Sequence, residues 1–132
     1  MKLALVDTNV VSMLFKRDTR AVPYETHTDG RMLLISLMTL AELDEWSILR
    51  NWGTVRKMQL AGFLENFTVL FPDRELCMKW AEVKAESRRR GRPIETADAW
   101  IAATALFYGL PLITHNRSDF ESLDGLEIIS ES

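Results

Sequence analysis

Short apolar runs alternate along the chain with longer segments of helical spacing. Each run is four or five residues long and ends at polar or turn-forming residues, as strands buried on both faces of a parallel sheet do. The runs cover residues 3–6, 32–36, 67–71, 110–114 and 126–129. Because parallel neighbours are joined through crossover helices, this alternation predicts an α/β fold with a mainly parallel five-stranded sheet between two helical layers.

The segments between the runs carry start and stop signals of helices. Thr8 is expected to cap a helix over residues 10–15, and the capping box Thr39-x-x-Glu42 to open one that reaches about residue 51. Further helices are predicted over residues 54–66, 73–90 and 95–108, with a short one over 116–119. Residues 17–31 are polar and contain Pro23, so we expect a loop there with at most one helical turn.

Length and composition limit the class of protein. A chain of 132 residues predicts one domain over residues 1–132. The net charge of −3 excludes a generic polycation that holds nucleic acid by bulk attraction, so any nucleic-acid role needs a local site. The single Cys77 rules out an internal disulfide and fits a reducing compartment. No apolar run approaches the ~20 residues of a membrane span, and we expect a cytoplasmic protein.

Four acids stand where predicted helices begin: Asp7, Glu42, Asp98 and Asp119. In a parallel sheet the helix after each strand starts at the carboxyl end of that strand, which places Asp7, Glu42 and Asp119 on one edge. The helix that holds Asp98 leads into the strand at Leu112 and runs antiparallel to it, so that helix begins at the same edge. The sequence therefore predicts that the four carboxylates converge.

Helix capping is the alternative explanation for these acids. Acids are favoured in the first turn of any helix, and Glu42 or Asp119 taken singly fits that role. Asp7 directly ends an apolar strand, and Asp98 lies among Ala and Trp with no neighbouring cation. Caps need not converge, and carboxylates that do converge repel one another unless a cation lies among them. Together they indicate a metal-dependent enzyme that acts on phosphate esters.

Four sequence motifs carry a family resemblance. They are LVDTN at 5–9, TLAEL at 39–43, DAWIAATA at 98–105 and LITHNRSDF at 112–120. In this order and spacing the chain resembles PIN-domain ribonucleases, and within them the VapC-type toxins of toxin–antitoxin pairs. The resemblance implies a PIN-like fold, Mg²⁺ or Mn²⁺ as cofactor, cleavage of single-stranded RNA to 5′-phosphate and 3′-hydroxyl ends, a homodimer and a cognate antitoxin.

The resemblance also assigns site residues. Asp7, Glu42 and Asp98 match the family's acidic positions, while relatives place the fourth acid where either Asn116 or Asp119 stands. Asn116 is neutral, so Asp119 is the carboxylate available. Asp7 and Asp98 are expected to supply the main metal contacts, Asp119 to complete the site or hold a second ion, and Glu42 to orient or deprotonate the attacking water.

Polar neighbours and one basic cluster complete the candidate set. Thr8, Thr114 and Asn116 are expected to hydrogen-bond the carboxylates or metal-bound waters. Four arginines precede the Asp98 helix and could guide an RNA backbone toward the acids, or be a solvated helix end. They are Arg88, Arg89, Arg90 and Arg92. Trp46 and Trp52 are expected to pack in the core, and otherwise to be the best candidates for a partner surface.

Two other α/β classes with an acid after the first strand fail on this sequence. Haloacid-dehalogenase-type phosphatases need a second Asp where Asn9 stands and a late Lys, but no Lys follows Lys84. Receiver domains of signalling pairs need an acid pair near the first strand and a Lys after the last, and fail on the same count. A PIN nuclease outside any toxin pair stays open, as does a non-catalytic RNA- or protein-binding module, although such modules tend to lose acids.

Overall fold

The computed structural model describes residues 2–132. Its strands are β1 (Lys2–Val6), β2 (Arg31–Ser36), β3 (Phe67–Leu70), β4 (Leu112–Ile113) and β5 (Ile128–Ile129). Its α-helices are α1 (Thr8–Lys16), α2 (Val22–Thr28), α3 (Leu37–Leu49), α4 (Thr54–Leu64), α5 (Arg74–Arg89) and α6 (Thr96–Tyr108). Two 3₁₀ turns, Thr19–Ala21 and Arg117–Asp119, complete the described elements. No helix among residues 2–132 is long and apolar enough to cross a membrane.

The five strands form one sheet in the order β3-β2-β1-β4-β5, and every pairing in it is parallel. The predicted five-stranded sheet is confirmed. The chain builds outward from β1 to β3 on one side, then crosses to β4 and β5 on the other. The strand order therefore reverses between β1 and β4, which is where open α/β sheets hold their ligands.

Helices cover both faces of the sheet, as the three-layer prediction requires. Leu5, Leu34 and Leu112 point into a core shared with α5 and α6. Val6, Ile35 and Ile113 point into a second core shared with α1, α2, α3 and α4. This alternation follows from the two-residue period of a strand, and it explains why the strands are apolar throughout. The Ala-rich α6 lies under the sheet as its composition indicates.

Two predicted helix caps are wrong. Asp7, not Thr8, is the N-cap of α1, and its carboxylate accepts from the Thr8 backbone N–H. Ser36, not Thr39, caps α3, and its hydroxyl accepts from the Met38 N–H. Each cap is the polar residue directly before its helix: Asp7 follows the last residue of β1, and Ser36 is the last residue of β2. Thr39 therefore lies inside α3, where its side chain is available for other contacts.

The loop predicted over residues 17–31 is also wrong. The segment folds into a 3₁₀ turn and the two-turn helix α2. Pro23 lies in the first turn of α2, where its missing N–H leaves no helical hydrogen bond unmade. Tyr24 is fully buried and joins the second core. Pro23 was read as a loop signal, although the same residue is favoured at helix starts.

The carboxyl-terminal third is less regular than predicted. Strands β4 and β5 have two residues each, where runs of five and four were expected. The predicted helix over residues 116–119 is a single 3₁₀ turn. The side chain of Asp73 caps α5, and Gly109, at φ +65°, ends α6. The shorter β4 places Thr114 directly beside the end of β1.

Candidate active site

Asp7 is held at the junction of the two central strands. Its backbone N–H donates to the Ile113 carbonyl at 2.8 Å, which continues the pairing of β1 with β4. Its Oδ1 accepts from the Thr8 N–H at 2.8 Å, and its Oδ2 accepts from the Thr114 hydroxyl at 2.6 Å. Only 5% of Asp7 is exposed. Both carboxylate oxygens are therefore oriented by residues that directly follow β1 and β4.

Glu42 reaches the same edge from the second turn of α3. The Thr8 hydroxyl lies 2.7 Å from Glu42 Oε1 and 2.9 Å from the Thr39 hydroxyl. A hydroxyl has one proton, and a carboxylate accepts it more strongly than a second hydroxyl does. We therefore assign the Thr8 proton to Glu42, with Thr39 donating to Thr8. Thr8 therefore bonds both acids, Asp7 through its backbone N–H and Glu42 through its hydroxyl.

Asp98 lies in the first turn of α6 and is partly buried. Its carboxylate accepts no hydrogen bond from the described residues. Burial is the largest cause that raises its pKa, to about 6 from 3.8, followed by the charges of Asp7, Asp119 and Glu42. Because these charges act on Asp98, the four acids occupy one electrostatic neighbourhood. We call Asp7, Glu42, Asp98 and Asp119 the acidic cluster.

The pKa of Asp7 is raised by the same causes. Burial lifts its pKa from 3.8 to about 6, although the hydrogen bonds from Thr114 and Thr8 lower it. The charges of Glu42 and Asp119 add smaller increases. Within residues 2–132 no Lys, Arg or His forms a salt bridge with any member of the acidic cluster. The cluster's negative charge is therefore uncompensated by the chain itself.

Asp119 and Asn116 occupy the turn after β4, and both are exposed. Neither side chain makes a hydrogen bond to the described residues. Asn116 contributes through its backbone, since its N–H donates to the Thr114 hydroxyl at 3.0 Å. Thr8 and Thr114 thus lie where hydrogen bonding to the carboxylates was expected, while the Asn116 side chain does not bond a carboxylate.

The donor chemistry of the acidic cluster suits a hard divalent cation. The candidate ligands are carboxylate oxygens, which Mg²⁺ and Mn²⁺ prefer over nitrogen or sulfur. In the described chain, however, no three acidic, His or Cys side chains are already close enough to hold one ion. Mg²⁺ keeps several of its waters and takes only one or two carboxylates directly, so the four acids need not all be within ligating distance. The residues present therefore fit such an ion.

Sequence reasoning missed Tyr24 as a neighbour of this site. Its ring is buried in the second core, and its hydroxyl lies 2.7 Å from Nδ1 of His115. The signal that could have revealed it was Val22-Pro23-Tyr24, a helix start with Pro in the first turn followed by a large apolar ring. Nδ1 of His115 is thereby engaged with Tyr24.

Half of the predicted basic cluster is paired with acids. Arg89 and Arg90 form salt bridges with Glu86, and Arg90 also pairs with Asp124, which raises the pKa of Arg90. Arg88 and Arg92 are exposed and form no salt bridge within the part of the chain that the structure describes. Guidance of RNA by these arginines stays a prediction, with Arg88 and Arg92 its better candidates.

The two tryptophans considered for a partner surface pack with one another. The ring centroids of Trp46 and Trp52 are 4.7 Å apart, and both contact Phe15. The Arg56 guanidinium lies 4.4 Å from the Phe15 centroid and 4.9 Å from that of Trp52. Both tryptophans are partly buried against the second core. Packing is thus their main role, and the exposed part of this region lies farther along α3 and α4.

Comparison with known proteins gives consistent matches. The PIN domain family model matches residues 4–126. A ribonuclease VapC1 of Methanocaldococcus jannaschii is 35% identical, over 94% of this chain and 85% of its own. Another ribonuclease VapC1, from Haemophilus influenzae, is 28% identical over 93% of each chain. The crystal structure of a DNA-bound VapBC from Salmonella typhimurium aligns with a TM-score of 0.80 and 27% identity, covering 98% of each chain.

The matches agree with the arrangement of the described strands and helices. The family model begins inside β1 and extends past the second 3₁₀ turn, so it includes every member of the acidic cluster. The chain belongs to the PIN-domain family and, within it, to the VapC ribonucleases. The predicted resemblance is confirmed.

Proposed function

We propose that this chain is a Mg²⁺- or Mn²⁺-dependent endoribonuclease that cleaves single-stranded RNA and acts as the toxin of a toxin–antitoxin pair. One observation carries the proposal: uncompensated acids gather where the strand order reverses, and burial with mutual repulsion raises the pKa of Asp7 and Asp98 to about 6. Such repulsion does not stabilise the fold. A cation that binds among the carboxylates together with a phosphate ester relieves it. The proposal treats residues 1–132 as one catalytic domain.

Asp7 and Asp98 are the proposed principal metal ligands, and Asp119 completes the site or holds a second ion. When bound, the ion polarises the phosphodiester and lowers the pKa of a bound water. Asp7 is already oriented for this role, because its Oδ1 accepts a hydrogen bond from Thr8 and its Oδ2 accepts one from Thr114. Carboxylate oxygens keep lone pairs beyond one hydrogen bond, so these contacts leave Asp7 able to bind.

Glu42 is the proposed group that orients and deprotonates the attacking water. Thr8 holds its Oε1, while its Oε2 accepts no hydrogen bond from residues 2–132. In the proposed step a water proton passes to Oε2 and the water oxygen bonds to phosphorus. The bond from phosphorus to the 3′-oxygen breaks, that oxygen takes a proton from solvent water, and Glu42 returns its proton to solvent. The products carry a 5′-phosphate and a 3′-hydroxyl.

The nuclease proposal is tested with purified protein and a mixed pool of unstructured RNAs. Wild type should cleave only when Mg²⁺ or Mn²⁺ is present, and Glu42→Gln should be inactive at an unchanged unfolding temperature. Asp44→Asn is the matched control, because Asp44 is an exposed acid on the same helix with no side-chain hydrogen bond to the described residues. Cleavage that persists in EDTA, or in Glu42→Gln, would contradict the proposed roles.

An antitoxin is the proposed protein partner. Four large apolar side chains at the end of α3 and along α4 are exposed by 65–73%: Ile48, Leu49, Val55 and Met58. Such a surface is what an amphipathic segment covers. The Salmonella relative named above is a VapBC complex, which supports a partner of this kind. A small gene immediately upstream that encodes a DNA-binding fold with an unstructured tail is the expected source.

Co-expression tests this partner. The upstream product should suppress RNA cleavage and cell-growth arrest by wild type, and Leu49→Glu should escape suppression while keeping its nuclease activity. Phe107→Glu is the control, since Phe107 is 39% exposed at the end of α6, a helix that packs on the opposite face of the sheet. If no neighbouring product suppresses cleavage, the chain is a PIN nuclease outside a toxin pair. If wild type itself never cleaves, a non-catalytic binding module remains.

A homodimer is also proposed, in keeping with the family resemblance. The apolar surface of α3 and α4 and a groove of about 520 Å³ beside α5 are both available to a second copy. Light scattering of the purified chain, with and without the upstream product, measures this directly. A monomer at all concentrations would contradict the homodimer and leave the nuclease proposal untouched.

A further inference from the structure

The Tyr24 hydroxyl joins three parts of the molecule. Tyr24 lies on α2 and is 0% exposed. Its oxygen lies 2.7 Å from His115 Nδ1 and 3.3 Å from the Thr114 carbonyl, both in the turn after β4. It also accepts from the Glu131 backbone N–H at 2.8 Å, in the tail after β5. This buried hydroxyl therefore connects α2 to two segments that are distant in sequence.

The shortest contact of the hydroxyl is the one with His115 Nδ1, at 2.7 Å against 3.3 Å to the Thr114 carbonyl. Two proton arrangements satisfy these contacts: the phenol donates to Nδ1, or Nδ1–H donates to the phenol and the phenol donates to the Thr114 carbonyl. In both arrangements the hydroxyl ties α2 to the turn after β4. The Glu131 N–H occupies a lone pair of the same oxygen, so the hydroxyl is used as both donor and acceptor.

The turn that Tyr24 holds is the one that orients Asp7. Thr114 donates to Asp7 Oδ2 at 2.6 Å, and the Asn116 N–H donates to the same Thr114 hydroxyl at 3.0 Å. The His115 N–H makes a longer contact, 3.4 Å, with the Asn9 side chain. Sheet pairing of β4 ends at Thr114, whose N–H donates to the Ile129 carbonyl at 3.0 Å, so residues 115–116 lie beyond the paired backbone. Tyr24 supplies a side-chain anchor immediately beyond the end of that strand.

We propose that Tyr24 is a positioning residue: its hydroxyl anchors the 114–116 turn so that Thr114 keeps Asp7 in its working orientation. The inference rests on the proposed nuclease function of the acidic cluster. Tyr24 touches neither acid nor substrate and acts through His115 and Thr114. Small displacements of positioned groups lower turnover strongly, since a misplacement of about 1 Å can cost about 100-fold in rate.

Tyr24→Phe tests the anchor, because it removes the hydroxyl and keeps the buried ring. With a short unstructured RNA and saturating Mg²⁺, kcat should fall about tenfold or more while KM stays within about twofold. Tyr108→Phe is the matched control, as Tyr108 is 43% exposed and its hydroxyl bonds to none of the described residues. That variant should keep wild-type kcat. A merely structural role would lower the active fraction in a temperature-dependent way, so kcat is compared well below both unfolding midpoints.

Nitrogen NMR of the His115 ring gives a readout that needs no activity. Wild type should show one tautomer with Nδ1 hydrogen-bonded, and Tyr24→Phe should shift the Nδ1 resonance and show a mixture of tautomers. Deletion of residues 131–132 should leave the wild-type ring resonances, because of the contacts of the Tyr24 hydroxyl it removes only that with the Glu131 N–H, together with the His27–Glu131 pair. His115 ring resonances that do not change in Tyr24→Phe, or a Tyr24→Phe kcat equal to wild type, overturn the proposal. Absence of metal-dependent cleavage by wild type would instead refute the proposed function, while the NMR result still tests the anchor.

Discussion

Two halves of the acidic cluster are held in different ways. Asp7 and Glu42, the bonded pair, accept hydrogen bonds from Thr8 and Thr114. Asp98 and Asp119, the open pair, accept none from the described residues and are placed only by the backbone of α6 and the second 3₁₀ turn. The chain therefore prepares one half of the site before any ligand arrives. The other half must be organised by what binds there.

The difference follows from where each acid lies. The bonded pair is next to the central strands, where a residue's position is fixed by the sheet and hydroxyls from neighbouring elements reach it. Asp98 lies partly buried in the first turn of α6, and Asp119 ends the second 3₁₀ turn, where it is exposed to water. Preorganised groups lower the cost of reaching a charged transition state, whereas flexible ones let an ion complete its own geometry.

The largest expected effect is loss of cleavage from either half. Asp7→Asn and Asp98→Asn should each lower kcat/KM about a thousandfold or more, since several kcal/mol of charge stabilisation by the ion is lost. Single-turnover cleavage of a labelled RNA measures this. Asp124→Asn, an exposed acid paired with Arg90, is the control and should stay active. Near-normal cleavage by either variant would show that its carboxylate does not hold the ion.

The next effect concerns stability without metal. A carboxyl whose pKa is raised by folding stabilises the fold at low pH, and this contribution is lost as pH rises from 3.8 through about 6. For the buried Asp7 the loss is at most about 3 kcal/mol; for the partly exposed Asp98 it is smaller because solvent screens it. At pH 7.5 in EDTA, both Asn variants should therefore unfold at higher urea concentration than wild type.

The two variants should differ in a way that reflects the two halves. Asp98→Asn loses no hydrogen bond, so its whole gain should remain. Asp7→Asn must rearrange the contact with Thr114, which offsets about 1 kcal/mol of its gain. Urea unfolding at pH 4.5 and pH 7.5 checks both the sign and the order. If the difference in unfolding free energy between each variant and wild type is the same at pH 4.5 and pH 7.5, neither pKa is raised.

A smaller effect is expected from the hydroxyls of the bonded pair. Thr114→Val should lower metal affinity or kcat about 10- to 100-fold, as loss of a ligand-orienting hydrogen bond does. Thr96→Val, beside Asp98 and without a side-chain hydrogen bond to residues 2–132, should stay within about twofold of wild type. Mn²⁺ titration followed by cleavage assays compares them. Equal losses in the two variants would remove the distinction between the bonded and the open half.

The smallest effect should come from the exposed acid. Asp119→Asn should lower cleavage about tenfold, since it removes one outer charge from a site that keeps three others. Adding Asn116→Asp should restore cleavage to within about threefold, because either position of the same turn can supply the carboxylate. Failure of the second change to restore activity would mean that Asp119 acts through its particular place in the turn.

The sheet and the acidic edge were predictable because their signals are local and strong. An apolar run that ends in Asp7, followed by helical spacing, determines both a buried strand and its polar terminus. The converging edge then follows from parallel topology alone. The same reasoning placed Asp98 at this edge, since a helix leading into a strand must begin where the strand ends.

Helix caps and side-chain contacts could not be predicted from the sequence, because they depend on the three-dimensional neighbours of each residue. Ser36, Thr39 and Asp7 all carry oxygens able to cap a helix, and which one does depends on where strand pairing stops. Helix α2 was missed because its seven residues have weak periodicity and its stability comes from burying Tyr24 in the second core. The lack of hydrogen bonds to Asp98 is a property of three-dimensional neighbours, which no spacing rule encodes.

Direct titration of the two aspartates is the most decisive measurement. Carbon NMR of the side-chain carboxyls should give Asp7 and Asp98 pKa values near 6 in EDTA. Saturating Mg²⁺ should move both below their ordinary value of 3.8, because the ion favours the charged form. Values near 3.8 in EDTA that do not respond to Mg²⁺ would contradict the claim that these acids form a cation site.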